Sequence, residues 1–527
     1  MTLPDWIVIS AYLVGMIALS VFLGRNQQNQ EDYFVGGRKL PWWAVGLSTM
    51  ATQTSAISFI SIPAFVALKP GGGLTWLQYE LAVPLAMIVV MVFLIPFFRH
   101  LELVSVYEYL EDRYSPAVRY FVSMVFLVSR GLGTGVGVYA SGIVLSVCLN
   151  VPLYITILLI GVVTIIYDTI GGISAVVYSD VIQMGVLLGG ILLSIYYAAD
   201  MVGGLSAVWH QFPLTRRSAI DAALGVGDGS AVPFWAFLIG GFFLYTSYYG
   251  TDQSQVQREL SAGSTAETKW SLVFNGLARF PLTLLYVAMG MAVWTVYDMS
   301  PDFATRVPFE KPDYLVPQYV LYYLPAGVRG LLFAALLAAA MSSLDSALNS
   351  LSAATVRDFI GRRVSDPKRL LLMSKLTTVG WGIAITGFAF LVGRISDTVI
   401  EAINKIGSAF YGPILATFLM GVLFRKVNTA GILLGAAAGV VFNIWLWVTQ
   451  PGVHWMWWNV TGFVVASVLA YGVSLVWPLP YSDKIDNYVL HSAGHIRKEV
   501  RWIPVYVLLL AYFALILYGM YRLGTIG

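Results

Sequence analysis

Apolar residues dominate the chain in long, unalternating runs, broken at intervals by short polar stretches. Fourteen runs are long enough to cross a hydrocarbon core of about 30 Å as helices. They lie near 4–24, 43–68, 75–98, 117–149, 152–170, 177–200, 231–257, 270–297, 328–356, 371–393, 397–424, 429–449, 456–477 and 503–523. Strands of a membrane barrel would alternate apolar and polar residues over about ten positions, and these runs do not. The pattern predicts an all-α polytopic membrane protein. Composition agrees: of 527 residues, 58% are hydrophobic and 11% charged, and the mean hydropathy is +0.75.

Within three runs the polar positions fall out of place. The segment MSSLDSALNS (341–350) sits between LLFAALLAAA and LSAATVRDF. At about 100° per residue, Ser342, Ser346, Ser350, Ser343, Asn349 and Asp345 gather on one helix face about 160° wide. Serines that bond back to their own helix would explain two of these groups, but not six with a carboxylate among them. An oxygen-rich face carrying at most one negative charge suits a monovalent cation such as Na⁺; Mg²⁺ or Ca²⁺ would call for more carboxylates, and a transition metal for His or Cys. In LSTMATQTSAISFISIPA (47–64) the polar groups keep no single face, as where a helix unwinds. FLYTSYYGTDQSQVQREL (243–260) has the same character, with Gly250 at its centre. Irregular backbone at membrane depth is tolerated only against protein or a water-filled cavity. Two broken spans at corresponding places in two halves predict a transporter of inverted repeats with its site at the midplane.

Charge settles orientation and excludes other classes. With the N-terminus outside, the inner loops and ends hold twenty basic residues and the outer side eight. That bias predicts both termini outside, as a multi-pass protein of the plasma membrane, in a bacterium the inner membrane. The first run lacks a basic start and a small-residue cleavage site, so it is read as a retained helix. No basic tract suits nucleic acid. The lone Cys148 permits no internal disulfide. No metal-ligand motif or nucleophile–base pair points to an enzyme. The bilayer and a small organic solute are the partners implied, with no protein partner. Ionisable side chains in spans are costly and mark function; here they are Glu80, Arg130, Asp168, Asp180, Asp252, Arg279, Asp345 and Lys405.

At this point the chain resembles the sodium:solute symporter family. The resemblance rests on DYFVGGRKLPWWAVGLSTMAT (32–52), SVYEYLEDRYSPAVR (105–119), YDTIGGISAVVYSDVIQ (167–183), GTDQSQVQREL (250–260) and the serine stretch, in that order. It implies a LeuT-like fold of fourteen transmembrane helices with a 5+5 inverted repeat. An extra N-terminal helix and loop (1–42) would precede the first repeat and an extracellular loop (43–230). The second repeat (231–428) and three C-terminal helices (429–527) would follow. It further implies a main sodium site at Ala51, Thr54, Ala339, Ser342 and Ser343. A second sodium site would draw on Asp180, Ser342 and Ser346. Asp345 replaces the small residue usual there, and is open as a further sodium ligand, a proton-coupling group or the partner of a basic residue. Substrate contacts are expected at Ser58, Glu80, Arg130, Asp252 and Asn404. Glu80 matches a carboxylate that binds sugar hydroxyls, whereas Arg130 could anchor a carboxylate; Ser254 stands where a sugar-stacking aromatic would be. Tyr139, Tyr245, Tyr248 and Tyr249 are packing or gating aromatics. The implied activity is sodium-coupled import by alternating access of a sugar or polyol or a small carboxylate. A proline-type amino acid is the alternative, and a sodium-conducting channel the rival class.

Overall fold

The computed structural model describes residues 1–227, 232–308, 311–362, 364–393, 399–478, 483–490 and 499–525, with backbone only for 399–404, 483, 484 and 525. Among these the chain is helical almost throughout, and the sole strand-like pairing is the bridge between Leu40 and Ala262. Polar residues mark the helix starts: Asn29, Ser264, Asp366 and Asn428 each accept a hydrogen bond from a first-turn amide, as capping requires.

Among the described residues eleven helices are long and apolar enough to cross a membrane, or twelve if the bent pair Trp42–Thr52 and Ala56–Ala67 forms one span. The hydropathy count of fourteen differs at two places. The runs at 152–170 and 177–200 belong to one element, Leu153–Val202, interrupted at Gly172 (φ 56°, ψ −158°). A side chain there would strike the Tyr33 carbonyl, with Cβ 2.5 Å from it, so the sharp turn needs glycine. The run at 231–257 is divided among the π-helical turn Ala236–Gly240, the helix Gly241–Thr251 and the helix Gln253–Ser261.

Both expected interruptions are present, one of them displaced. Trp42–Thr52 and Ala56–Ala67 meet at 61° across Gln53–Ser55, and Ser55 caps the second half through the Ser58 amide at 3.3 Å. The other break is at Asp252 (φ −79°, ψ 122°) rather than Gly250. Gly250 lies inside a helix where an added Cβ would sit 2.4 Å from Leu94 Cδ1, so it serves close packing. Asp252 makes the turn, its Oδ1 accepting from Ser254 N (2.8 Å) and Ser254 Oγ (2.6 Å).

The serine-rich helix, Val328–Ala354, is the most enclosed span. It packs on Leu153–Val202, Pro116–Leu149, Leu3–Gly24 and Pro367–Val392. The approach to Leu3–Gly24 is tight: a Cβ on Gly330 would lie 2.6 Å from Asp5 Cα. Small residues permit such contacts between membrane helices. The helix therefore meets protein on every side, and its polar face has only protein or an internal cavity to look into.

Candidate functional site

A cavity of about 290 Å³ lies between the two broken helix pairs. Ala56–Ala67, Leu74–Glu80, Pro116–Leu149, Gly241–Thr251, Thr265–Met299 and the serine-rich helix wall it, with Gly407 and Tyr411 from Val399–Leu423. Four of the expected substrate residues, Ser58, Glu80, Arg130 and Asp252, line it. The side chain of Asn404 lies outside the described residues. Trp76, Tyr79, Tyr245, Tyr248, Tyr286 and Tyr411 supply most of the aromatic wall; Tyr139 and Tyr249 do not line the cavity.

The cavity is formally neutral but unevenly paired. Glu80 spends both carboxylate oxygens on Arg279, with Nη2–Oε1 at 2.5 Å and Nε–Oε2 at 3.2 Å. This two-bond fork is the strong geometry for such a pair. Arg279 also reaches Thr54 Oγ1 with Nη1 at 3.5 Å. Glu80 thus meets a guanidinium, 199 positions away in the chain, that pairwise matching of residues to sugar contacts overlooked. Arg279 itself stands out in the sequence as a basic residue within a span.

Arg130 is held far less firmly. Its Nη1 is 3.8 Å from Asp252 Oδ2, its Nη2 is 3.5 Å from Tyr248 OH, and its buried Nε has no hydrogen-bond partner among the described residues. Asp252 has already committed Oδ1 to capping. The cavity therefore offers one under-satisfied guanidinium inside an aromatic wall, a setting that favours a ligand carboxylate.

At one end of the cavity the expected sodium ligands come together in part. Thr54 and Ser343 line it. Thr54 Oγ1 donates to the Met50 carbonyl at 2.9 Å and Ser343 Oγ to the Ala339 carbonyl at 3.3 Å. The Ala51 carbonyl accepts from Thr54 N at 2.8 Å. Ser342 is turned away, donating to Asp180 Oδ1.

Beyond Ser342 lies a second polar group, wholly buried. Asp180 Oδ2 accepts from Ser48 Oγ at 2.5 Å and from Arg258 Nη2 at 3.2 Å. Arg258 also donates to Ser346 Oγ, to Ser48 Oγ (2.7 Å) and to the Ser254 carbonyl (2.5 Å). Asp345 accepts from Tyr167 OH on Oδ2, and Ser346 Oγ lies 3.2 Å from its Oδ1. Asp168 meets the Asn349 amide at 3.3 Å, and its Oδ2 is unpartnered among the described residues. Three carboxylates thus surround one guanidinium, all fully buried. Sequence reasoning placed Asp180, Asp345 and Ser346 together but missed Arg258, Ser48 and Tyr167; the signal for Arg258 was its place in the quoted GTDQSQVQREL stretch. Several serines of the face also bond back within their helix, Ser350 Oγ to the Ser346 carbonyl at 2.8 Å among them.

The model of the sodium:solute symporter family matches residues 33–439. The sodium/sialic acid symporter NanT of Aliivibrio fischeri is 29% identical over 479 residues, covering 89% of this chain and 92% of its own. The human sodium-coupled monocarboxylate transporter 1 is 30% identical over 460 residues, covering 84% and 73%. Among solved structures, the substrate-bound outward-open state of a Na⁺-coupled sialic acid symporter, described as revealing a novel Na⁺ site, superposes with a TM-score of 0.81 at 27% identity, covering 91% of this chain and 99% of the other. MhsT in complex with L-phenylalanine shares the fold alone, with a TM-score of 0.51 at 14% identity, covering 82% and 97%.

Proposed function

Because the chain belongs to the sodium:solute symporter family, we propose that it imports a small organic carboxylate together with Na⁺ by alternating access. Arg130 carries the choice of solute. It is the cavity cation whose contacts stay long, and a carboxylate would give it two short charge-assisted bonds. The sugar reading relied on Glu80, and Arg279 engages both of that residue's oxygens. The relatives named above are designated for sialic acid and monocarboxylates, both anionic at neutral pH.

In this reading Na⁺ binds among the Ala51 and Ala339 carbonyls and the hydroxyls of Thr54, Ser342 and Ser343. The ion ties the broken span 42–67 to the serine-rich helix and so favours one orientation of the cavity, to the extent that it binds that state better. Asp180, Asp345 and Ser346 are proposed as the place for a second cation, beside Arg258. Three carboxylates share one guanidinium there; were all three ionised, two negative charges would need offsetting by a cation, because buried uncompensated charge is too costly to persist. One sodium moving through 100 mV supplies about 2.3 kcal/mol, roughly a 50-fold solute gradient. The proposal further counts fourteen spans, dividing Leu153–Val202 at Gly172 and including 231–261. The two repeats fall in 43–230 and 231–428, and both termini are outside a bacterial inner membrane.

The test is thermal unfolding of the purified chain in NaCl or KCl with pyruvate, sialic acid, glucose or proline. Stabilisation by a carboxylate only in Na⁺, lost in Arg130→Gln, is the expected result. Na⁺-dependent stabilisation by glucose or proline but by neither carboxylate would overturn the solute class.

A further inference from the structure

All nine residues of the half-helix Gln253–Ser261 are buried. Two of its faces account for their polar groups. Gln253 bonds the Val104 carbonyl and the Val106 amide, Gln257 bonds the Phe34 carbonyl and Asn349, and Arg258 bonds Asp180 and Ser346. The third face does not. Glu259 is 0% exposed, and neither carboxyl oxygen has a hydrogen-bond partner among the described residues. Gln255, one turn earlier and also 0% exposed, has neither amide atom partnered. At about 100° per residue these two lie about 40° apart, on a face roughly 60–100° from Arg258.

Most charged groups on the surrounding elements bond other partners, and none bonds Glu259, although the buried Nε of Arg99 has no hydrogen-bond partner among the described residues. Arg38 and Arg99 donate to the Leu260 carbonyl, at 3.5 and 2.8 Å. Lys269, on the helix that follows, is bound to Glu499 at 2.6 Å, and Glu267 precedes it in the first turn. On the serine-rich helix Asp345 faces Tyr167. On Gly241–Thr251, Tyr249 lies against Asn275 at 3.3 Å; at the break, Asp252 caps Ser254. On Gln30–Val35, Glu31 pairs with Arg38, and Asp32 accepts from the Gln28 amide. Among the described residues no Lys or Arg hydrogen-bonds to Glu259.

An ionised carboxylate in that position would carry a desolvation penalty of several kcal/mol with nothing to offset it. A metal ion would require more oxygens than a carboxyl and one amide provide. A carboxylic acid needs one acceptor, which Gln255 Oε1 on the same face supplies after a rotamer change. We propose that Glu259 is a proton-binding site on the gating half-helix. It holds a proton while Gln253–Ser261 is packed and gives it up where that half swings open about Asp252. The step breaks the carboxyl O–H bond, hands the proton to water and leaves a carboxylate, with no redox partner. The swing rests on the alternating-access reading above; the proton rests on burial and the missing partners. A proton and Na⁺ then both favour the packed state, so raising the pH weakens Na⁺ binding.

Two measurements on the full chain in detergent test this. Infrared difference spectra at neutral pH, wild type minus Glu259→Gln and wild type minus Glu259→Leu, should each show the carbonyl stretch of a buried protonated carboxylic acid, shifted in D₂O. In thermal-shift titrations with NaCl, the wild-type Na⁺ midpoint should rise about fivefold from pH 6 to pH 9 and stay level in both variants. The absence of that band, or a variant keeping the wild-type pH dependence, overturns the proposal. Were Na⁺ to stabilise wild type at no pH, the symport reading would fall, and the infrared band would still decide Glu259.

Discussion

Consider the effect of removing Glu80. Its side chain and that of Arg279 are 7% and 8% exposed, and two hydrogen bonds of 2.5 and 3.2 Å join them. Glu80→Ala leaves a guanidinium unpaired in the membrane interior. Deleting one partner of a buried pair costs about 3–5 kcal/mol. The pair lines the cavity, where solvent softens the loss, so about 3 kcal/mol is expected, on the order of 100-fold in the unfolding equilibrium. The double variant Glu80→Leu/Arg279→Met replaces both charges with apolar groups of similar size and should return to within about 1 kcal/mol of wild type. Equilibrium unfolding of the full chain in detergent, followed by tryptophan fluorescence, gives both numbers. There is also a functional signature. The freed Arg279 stands 3.5 Å from Thr54 Oγ1 and competes for the space proposed for Na⁺, so the Na⁺ midpoint should rise in the single variant and recover in the double. A double variant no more stable than the single one would refute the pairing argument.

Three further expectations follow from the geometry. Ser343→Ala should raise the Na⁺ midpoint about tenfold, the loss of one ligand worth about 1.4 kcal/mol, and Ser342→Ala/Ser343→Ala should abolish Na⁺-dependent stabilisation; a normal Na⁺ response in the double variant removes these residues from the site. Gly172→Ala forces a positive φ and a Cβ 2.5 Å from the Tyr33 carbonyl, so denaturant unfolding should show a loss of about 2–3 kcal/mol. Outside the spans, burial raises the Glu108 pKa, but the hydrogen bond and charge of Arg357, with the Ser105 amide and Arg119, more than reverse it and hold the carboxyl below its usual value. A depressed folded-state pKa gives stability that is present above the unfolded value and lost as pH falls through the folded one. Melting curves should therefore drop on acidification below about pH 4, and Glu108→Gln should flatten that drop.

Much of this was legible in the sequence because membrane helices advertise themselves twice, by apolar length and by polar exceptions. The exceptions in 47–64 marked a real break, and those in 341–350 marked Ser343 at the cavity and Ser342 on Asp180. What stayed hidden was pairing. Glu80 and Arg279, or Asp180 and Arg258, meet only because separate helices bring them together, and no periodicity within one helix encodes the partner on another. The displaced break shows the same limit at short range. Glycine permits a turn without requiring one, and packing against Leu94 decided that Gly250 stays helical while Asp252 supplies both the turn and its cap.

The small bridge between Leu40 and Ala262 bears on how the protein can move. Leu40 N donates to the Ser261 carbonyl at 3.0 Å, fastening the segment that leads into Trp42–Thr52 to the foot of Gln253–Ser261. Arg38 and Arg99 both donate to the neighbouring Leu260 carbonyl. The half-helices Trp42–Thr52 and Gln253–Ser261 are thereby tied like two levers on one axle: in the proposed transport cycle a rotation about Asp252 would pull Pro41 along with it, making a single rocking body of two separate breaks.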